Sequence, residues 1–224
     1  MLHSQRIPRP ELFAEVKMQL LSIFPGIYAW NWDPSDLERA HDWVAQTCIW
    51  HHENASYTSY DEAIACFRSF TTAGRVNVIH FLGQIARNGD GAWEGAVAPF
   101  IKNAWPREAE FQIEATSAAF VSLLEDSGDQ FAVVLDAVRP FLRRIHRGHH
   151  WLFRFYRSLG GDDDSPVTVK FPMETLALMD AIIPDDPAGV PFDLGQVLDL
   201  MAEIRPEVTR NRRFNRLREL VAAR

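Results

Sequence analysis

Only two cysteines, Cys48 and Cys66, occur among the 224 residues. One pair cannot make the disulfide framework that small secreted domains rely on, so reduced thiols in a cytoplasmic protein are the expectation. No apolar run approaches the roughly 20 residues that span a bilayer. The opening stretch, MLHSQRIPRPELF, has no apolar core, so no secretory signal is expected. A net charge of −7 and a pI near 5.6 rule out a global basic field for nucleic acid, while a local basic patch stays open. Catalytic signatures are missing as well: there is no phosphate loop, no GxGxxG, no HExxH and no GxSxG. Carboxylate pairs such as Asp185 and Asp186 fall in turns with no accompanying base. No enzyme activity and no cofactor are therefore expected.

What is present is a helical pattern on a chain long enough to bury a core, with 47% hydrophobic and 12% aromatic residues. Phe131, Val134, Leu135, Val138, Phe141, Leu142 and Ile145 follow the spacing of one amphipathic helix face, as do Phe111, Ala115, Ala119, Phe120 and Leu123. Gly128 separates the two stripes, and Asp129 is placed to cap the second. Asp33-Pro34, Ser59 with Glu62, and Asp193 with Gln196 are further start signals. Helices are expected near 10–23, 34–50, 60–72, 74–87, 91–104, 107–126, 129–145, 148–157, 173–183, 193–204 and 211–222. Only Val167 to Phe171 alternates as a strand would, and it is too short to build a sheet alone. Short connections between helices predict an all-α chain of stacked helical hairpins, a HEAT-like α-solenoid. Gly160 to Pro166 is turn-rich and acidic. It divides the expected organisation into a helical-hairpin domain at 1–158, a joint at 159–171 and a C-terminal helical cap at 172–224.

Four constellations invite a chemical reading. His41, Cys48, His51, His52 and Cys66 include metal-ligand types, but a structural zinc site needs four ligands and the second pair is not cleanly spaced. His41 shares a stripe with Leu37, Val44 and Cys48, as a core histidine would. His146, His149 and His150, with Asp162, Asp163 and Asp164, also read more simply as helix-end and turn residues. No metal is expected at either. A basic aromatic stretch runs from Arg139 through Arg143, Arg144, Arg147, Trp151, Phe153, Arg154, Phe155 and Tyr156 to Arg157. Arginines there can neutralise phosphates while rings stack on bases, or they can form a solvated face over an aromatic core. Arg210, Arg212, Arg213, Arg216 and Arg218 offer the same choice on a terminal helix whose apolar stripe is Phe214, Leu217, Leu220 and Val221. The fourth group is Tyr28, Trp30, Trp32, Trp43 and Trp50, which are core fillers or binding anchors.

Two stretches carry a family resemblance. One is FIKNAWPREAEFQIEATSAAFVSLLEDSGDQFAVVLDAVRPFL, Phe100 to Leu142, where Trp105-Pro106 is expected to start a helix and Gly128-Asp129 to turn. The other is FPMETLALMDAIIPDDPAGVPFDLGQVLDLMAEIRPEVTRNRRFNRLREL, Phe171 to Leu220, where Asp185-Asp186 is expected to cap a connection. Both resemble the C-terminal helical region of large bacterial anti-phage defence proteins whose N-terminal parts are sirtuin-like NADases or ATPases. The periodicity supplies the helical scaffold, and the resemblance implies its setting, a bacterial defence system in which it docks a protein partner or an adjacent enzymatic domain. Its motifs are structural, so it supplies no catalytic residue. The expected partner contacts are Trp30, Trp32, Trp151, Arg154 and Arg157. In the alternative, nucleic-acid-sensing reading, Arg143, Arg144 and Arg147 meet phosphate.

Overall fold

The structure is a computed structural model, and it describes His41, Val44, Ala45, Phe67, Arg68 and residues 70–87, 91–146 and 167–224. All regular structure among the described residues is helical. The chain forms two compact units, Met1–Pro106 and Arg107–Arg224. The joint expected at 159–171 lies largely outside the described residues.

In the first unit, α1 spans Thr72–Arg87. A π-helical turn at Trp93–Val97 runs into α2, Ala98–Ala104. Val78, Ile79, Leu82, Val97, Phe100 and Ile101 are all fully buried. Trp105 is packed against Phe67, with ring centroids 4.5 Å apart, and edge-on to Phe100 at 6.2 Å. It ends α2 rather than starting a helix. Its backbone is extended, as steric pressure from Pro106 requires of a residue preceding proline.

The second unit opens with a 3₁₀ turn at Ala109–Phe111, then α3, Glu114–Asp126. Helix therefore begins well after the residue 107 that the sequence suggested. Gly128 follows with φ +52°, a conformation that glycine adopts without strain. Asp129 does not cap α4, Phe131–Val138; Gln130 holds that position, and Asp129 instead pairs with Lys170 at 3.1 Å. The helix expected to continue to 145 stops early. Pro140 cannot donate a backbone hydrogen bond, so the chain tightens into a 3₁₀ turn at Arg139–Phe141 and then extends.

The apparent strand at Val167 to Phe171 is helical: α5 spans Val167–Lys170. Five alternating residues cannot separate a strand from one helical turn. Two contacts decide it, the Phe171 amide donating to the Val167 carbonyl at 2.8 Å and Thr168 being fully buried. Pro172 then suits the first position of α6, Pro172–Ile182, where its missing N–H costs nothing. A 3₁₀ turn at Pro187–Gly189 is capped by Asp186, whose carboxylate accepts from the Ala188 amide at 3.0 Å.

The chain ends as a helical hairpin of α7, Leu194–Ile204, and α8, Arg212–Ala223. Three pairings fix an antiparallel register: Arg224 over the Phe192 ring, Gly195 beside Val221, and Arg218 bonded to Asp199. Its turn is a 3₁₀ segment, Pro206–Arg210. Leu176, Met179, Ile183, Leu194, Val197, Leu198, Met201, Val208, Phe214 and Leu217 close one apolar core between α6, α7 and α8. Each such side chain contributes about 1.5–3 kcal/mol on leaving water.

Candidate interaction surface

The extended residues that follow α4 position the candidate site. Leu142 and Ile145 are buried, which pins the segment. The Arg143 amide donates to the Ser117 hydroxyl of α3 at 2.6 Å, and the Ile145 amide donates to the Ile182 carbonyl of α6 at 2.8 Å. The His146 amide donates to the Glu114 carboxylate at 2.9 Å. Between these anchors Arg144 reaches the end of α6, where a helix leaves carbonyls without partners.

Arg144 donates to the carbonyls of Asp180 and Ile183, the latter at 2.7 Å. Arg216 of α8 donates to the same two, at 3.4 and 3.0 Å. Arg216 also binds the Asp180 carboxylate at 3.0 Å and the Asp185 carboxylate through Nε at 3.0 Å. Arg213 approaches Asp180 at 3.4 Å, and Arg144 approaches Asp185 at 3.6 Å. The hydrogen bond from Arg216 outweighs desolvation and, with the charges of Arg216 and Arg144, holds the Asp185 carboxyl below its ordinary range.

Two basic stretches that are far apart in sequence therefore meet at one place. Three guanidiniums surround two carboxylates, so the junction carries surplus positive charge. Their donors face protein oxygens, which makes Arg144, Arg213 and Arg216 part of the helix-end structure. Around them lie arginines of another kind. Arg143 is exposed, and among the described residues its guanidinium donates only to the neighbouring Leu142 carbonyl. Arg210 and Arg212 are exposed on either side of Asn211, whose side chain caps α8 by accepting from the Arg213 amide at 2.9 Å. Neither is joined to another described residue. Nothing in the spacing of these arginines separates the engaged ones from the exposed ones.

Phe192 lies at the opposite end of the hairpin from Arg210. It is 83% exposed, and Arg224 sits 4.9 Å from its ring centre. Met173 is the other exposed large apolar residue among those described.

His41 is 2% exposed and packs edge-on to Phe70 at 4.6 Å. Its Nδ1 lies 3.4 Å from the Asn77 amide nitrogen, and its Nε2 lies against Gly74 with no hydrogen-bond partner among the described residues. Burial lowers its pKa to about 4. Among the described residues, no group of three His, Cys, Asp or Glu side chains is placed to hold a metal ion. His146 pairs with Glu114 at 3.5 Å. Cys48, His51, His52, Cys66, His149, His150 and Asp162 to Asp164 lie outside the described residues. So do Trp30, Trp32, Trp151, Arg154, Arg157 and Arg147. Among the described residues no helix is long and apolar enough to cross a membrane.

No family model and no solved structure matches the chain. It is similar to an uncharacterised protein, y4cA, of Sinorhizobium fredii, with 24% identity over 132 residues. That stretch is 59% of this chain and 11% of the relative, so the chain corresponds to a small part of a much longer protein.

Proposed function

We propose that this chain is a non-catalytic helical interaction domain that docks a partner molecule or an adjacent domain. The observation that carries the reading is the division of labour among the arginines. Arg144, Arg213 and Arg216 hold helix ends together, while Arg143, Arg210 and Arg212 are exposed and form no ion pair with another described residue. Charges displayed in this way contribute little to stability and are suited to a partner. The match to part of a much longer protein favours a module that works beside other domains. The resemblance to helical regions of anti-phage defence proteins proposes a biological setting, and the helical hairpins fit a HEAT-like surface for docking.

The test is affinity purification of the tagged chain from its own organism, followed by mass spectrometry and recovery of nucleic acid. The proposal expects a partner in stoichiometric amount. Recovery of the chain alone contradicts it.

A further inference from the structure

We infer that the arginine junction of the second unit binds the phosphate backbone of a nucleic acid, an inference that rests on the interaction reading above. Arg144 and Arg216 both donate to the Ile183 carbonyl, which brings the extended segment 142–146, carrying the exposed Arg143, and α8 to one end of α6; Arg210 and Arg212 are exposed on either side of Asn211 at the start of α8. The last twenty residues carry seven arginines against Glu207 and Glu219, within a chain of net charge −7. Internal pairing uses Arg213, Arg216 and Arg218, and Arg205 is weakly paired with Glu207 at 3.4 Å. Arg224 lies over the Phe192 ring, and Arg210 and Arg212 remain. The chain's cations are almost all arginine, with Lys17, Lys102 and Lys170 the only lysines among 23. Arginine presents a planar fork that matches a phosphate's oxygens and is weakly hydrated, so it binds phosphate with little desolvation cost.

Phosphate is favoured over an acidic protein by the make-up of the junction among the described residues. A protein interface places an apolar or aromatic centre inside a polar rim. The exposed large apolar residues among those described are Phe192, at the far end of the α7–α8 hairpin, and Met173, at the start of α6. Phosphate-backbone binding needs no apolar centre, because it is built from cations and counterion release.

The probe is a fluorescein-labelled single-stranded DNA of mixed sequence, about 20 nucleotides long, read by anisotropy on the full chain. Binding is expected to weaken steeply between about 50 and 200 mM salt. The R143A/R210A/R212A variant is expected to bind at least fivefold more weakly, with its log–log salt slope reduced by about 2. Arg218→Ala, whose guanidinium is engaged with Asp199, is expected to bind within twofold of the parent. A thermal midpoint close to the parent's shows that the triple variant is folded. No binding at about 50 mM salt overturns the inference. So does a triple variant that binds as the parent does, or equal competition by polyglutamate of matched charge, which points instead to an acidic protein. If DNA binding fails while a stoichiometric protein is still recovered from the organism, the phosphate inference falls and the interaction reading stands. If both fail, both fall.

Discussion

Arg144 and Arg216 donate to the same two carbonyl oxygens, those of Asp180 and Ile183, at the end of α6. Carbonyls at a helix end need partners, and here two arginines from distant elements share the task. Each also reaches Asp185, so the helix end, the extended segment 142–146 and α8 are joined by one polar network.

Shared donors predict non-additive mutants. Arg144→Ala or Arg216→Ala alone leaves one donor on each carbonyl, while the double variant leaves both carbonyls without a side-chain donor. Arg216→Ala is expected to cost about 1.5–3 kcal/mol, because it also takes from the partly buried Asp180 the nearer of its two arginine partners. The double variant is expected to exceed the sum of the singles by at least about 0.5 kcal/mol in urea unfolding. Simple additivity would show that the two arginines act separately.

Arg218 offers the contrast. Its pairing with Asp199 is exposed, with 35% and 70% of the two side chains accessible, and its guanidinium lies 5.3 Å from the Phe214 ring centre. Screened pairs of this kind contribute little, so Arg218→Ala is expected to cost under about 1 kcal/mol in the same assay.

Gly74 is held small by His41. A Cβ built there would stand 2.6 Å from His41 Nε2 and 3.1 Å from Phe70 Cβ. Alanine favours a helix by up to about 1 kcal/mol over glycine, but overpacking costs about 1–3 kcal/mol. Gly74→Ala is therefore expected to lower the unfolding midpoint, and His41→Ala in the same chain is expected to recover part of the loss. A stabilised G74A protein would contradict the contact.

The pH dependence follows from two groups. His41 has its pKa lowered from 6.5 to about 4 by burial, so the unfolded chain binds a proton first as pH falls. Its contribution is intact above pH 6.5 and is lost progressively down to about 4, on the order of 3 kcal/mol in full. Asp185 is also lowered, so its stabilising pairings hold above its ordinary value of 3.8 and are lost as pH falls through the folded value beneath it. A His41→Phe variant, compared with the parent by urea unfolding at several pH values, is expected to show a flatter slope between pH 6.5 and 4. Parallel slopes would contradict the burial argument.

Much of the helical framework was legible because periodicity and caps agree. α6, α7 and α8 fall within a residue or so of the sequence expectation, and Asp193 does stand at the start of α7. Its side chain, however, makes no capping bond, since residue spacing does not determine a rotamer. The early end of α4 was readable from Pro140, whose effect outweighs an apolar stripe running through it. The meeting of Arg144 with Arg216 was not readable, because it depends on how α6 packs against α8. Arg210 and Arg216 look alike in sequence, and only the position of Asp180 and Asp185 separates a projecting arginine from an engaged one. Trp30, Trp32, Trp151, Arg154 and Arg157 lie outside the described residues, so the structure places none of them.

In the proposed division of labour the projecting arginines serve a partner while their neighbours serve the fold. The most direct measurement pairs affinity purification from the native organism with urea unfolding, for the parent and for Arg210→Glu combined with Arg212→Glu. The account predicts an unfolding free energy within about 0.5 kcal/mol of the parent, as for surface changes, together with loss of the recovered partner. A stable variant that keeps its partner, or one that loses it only by unfolding, would contradict the account.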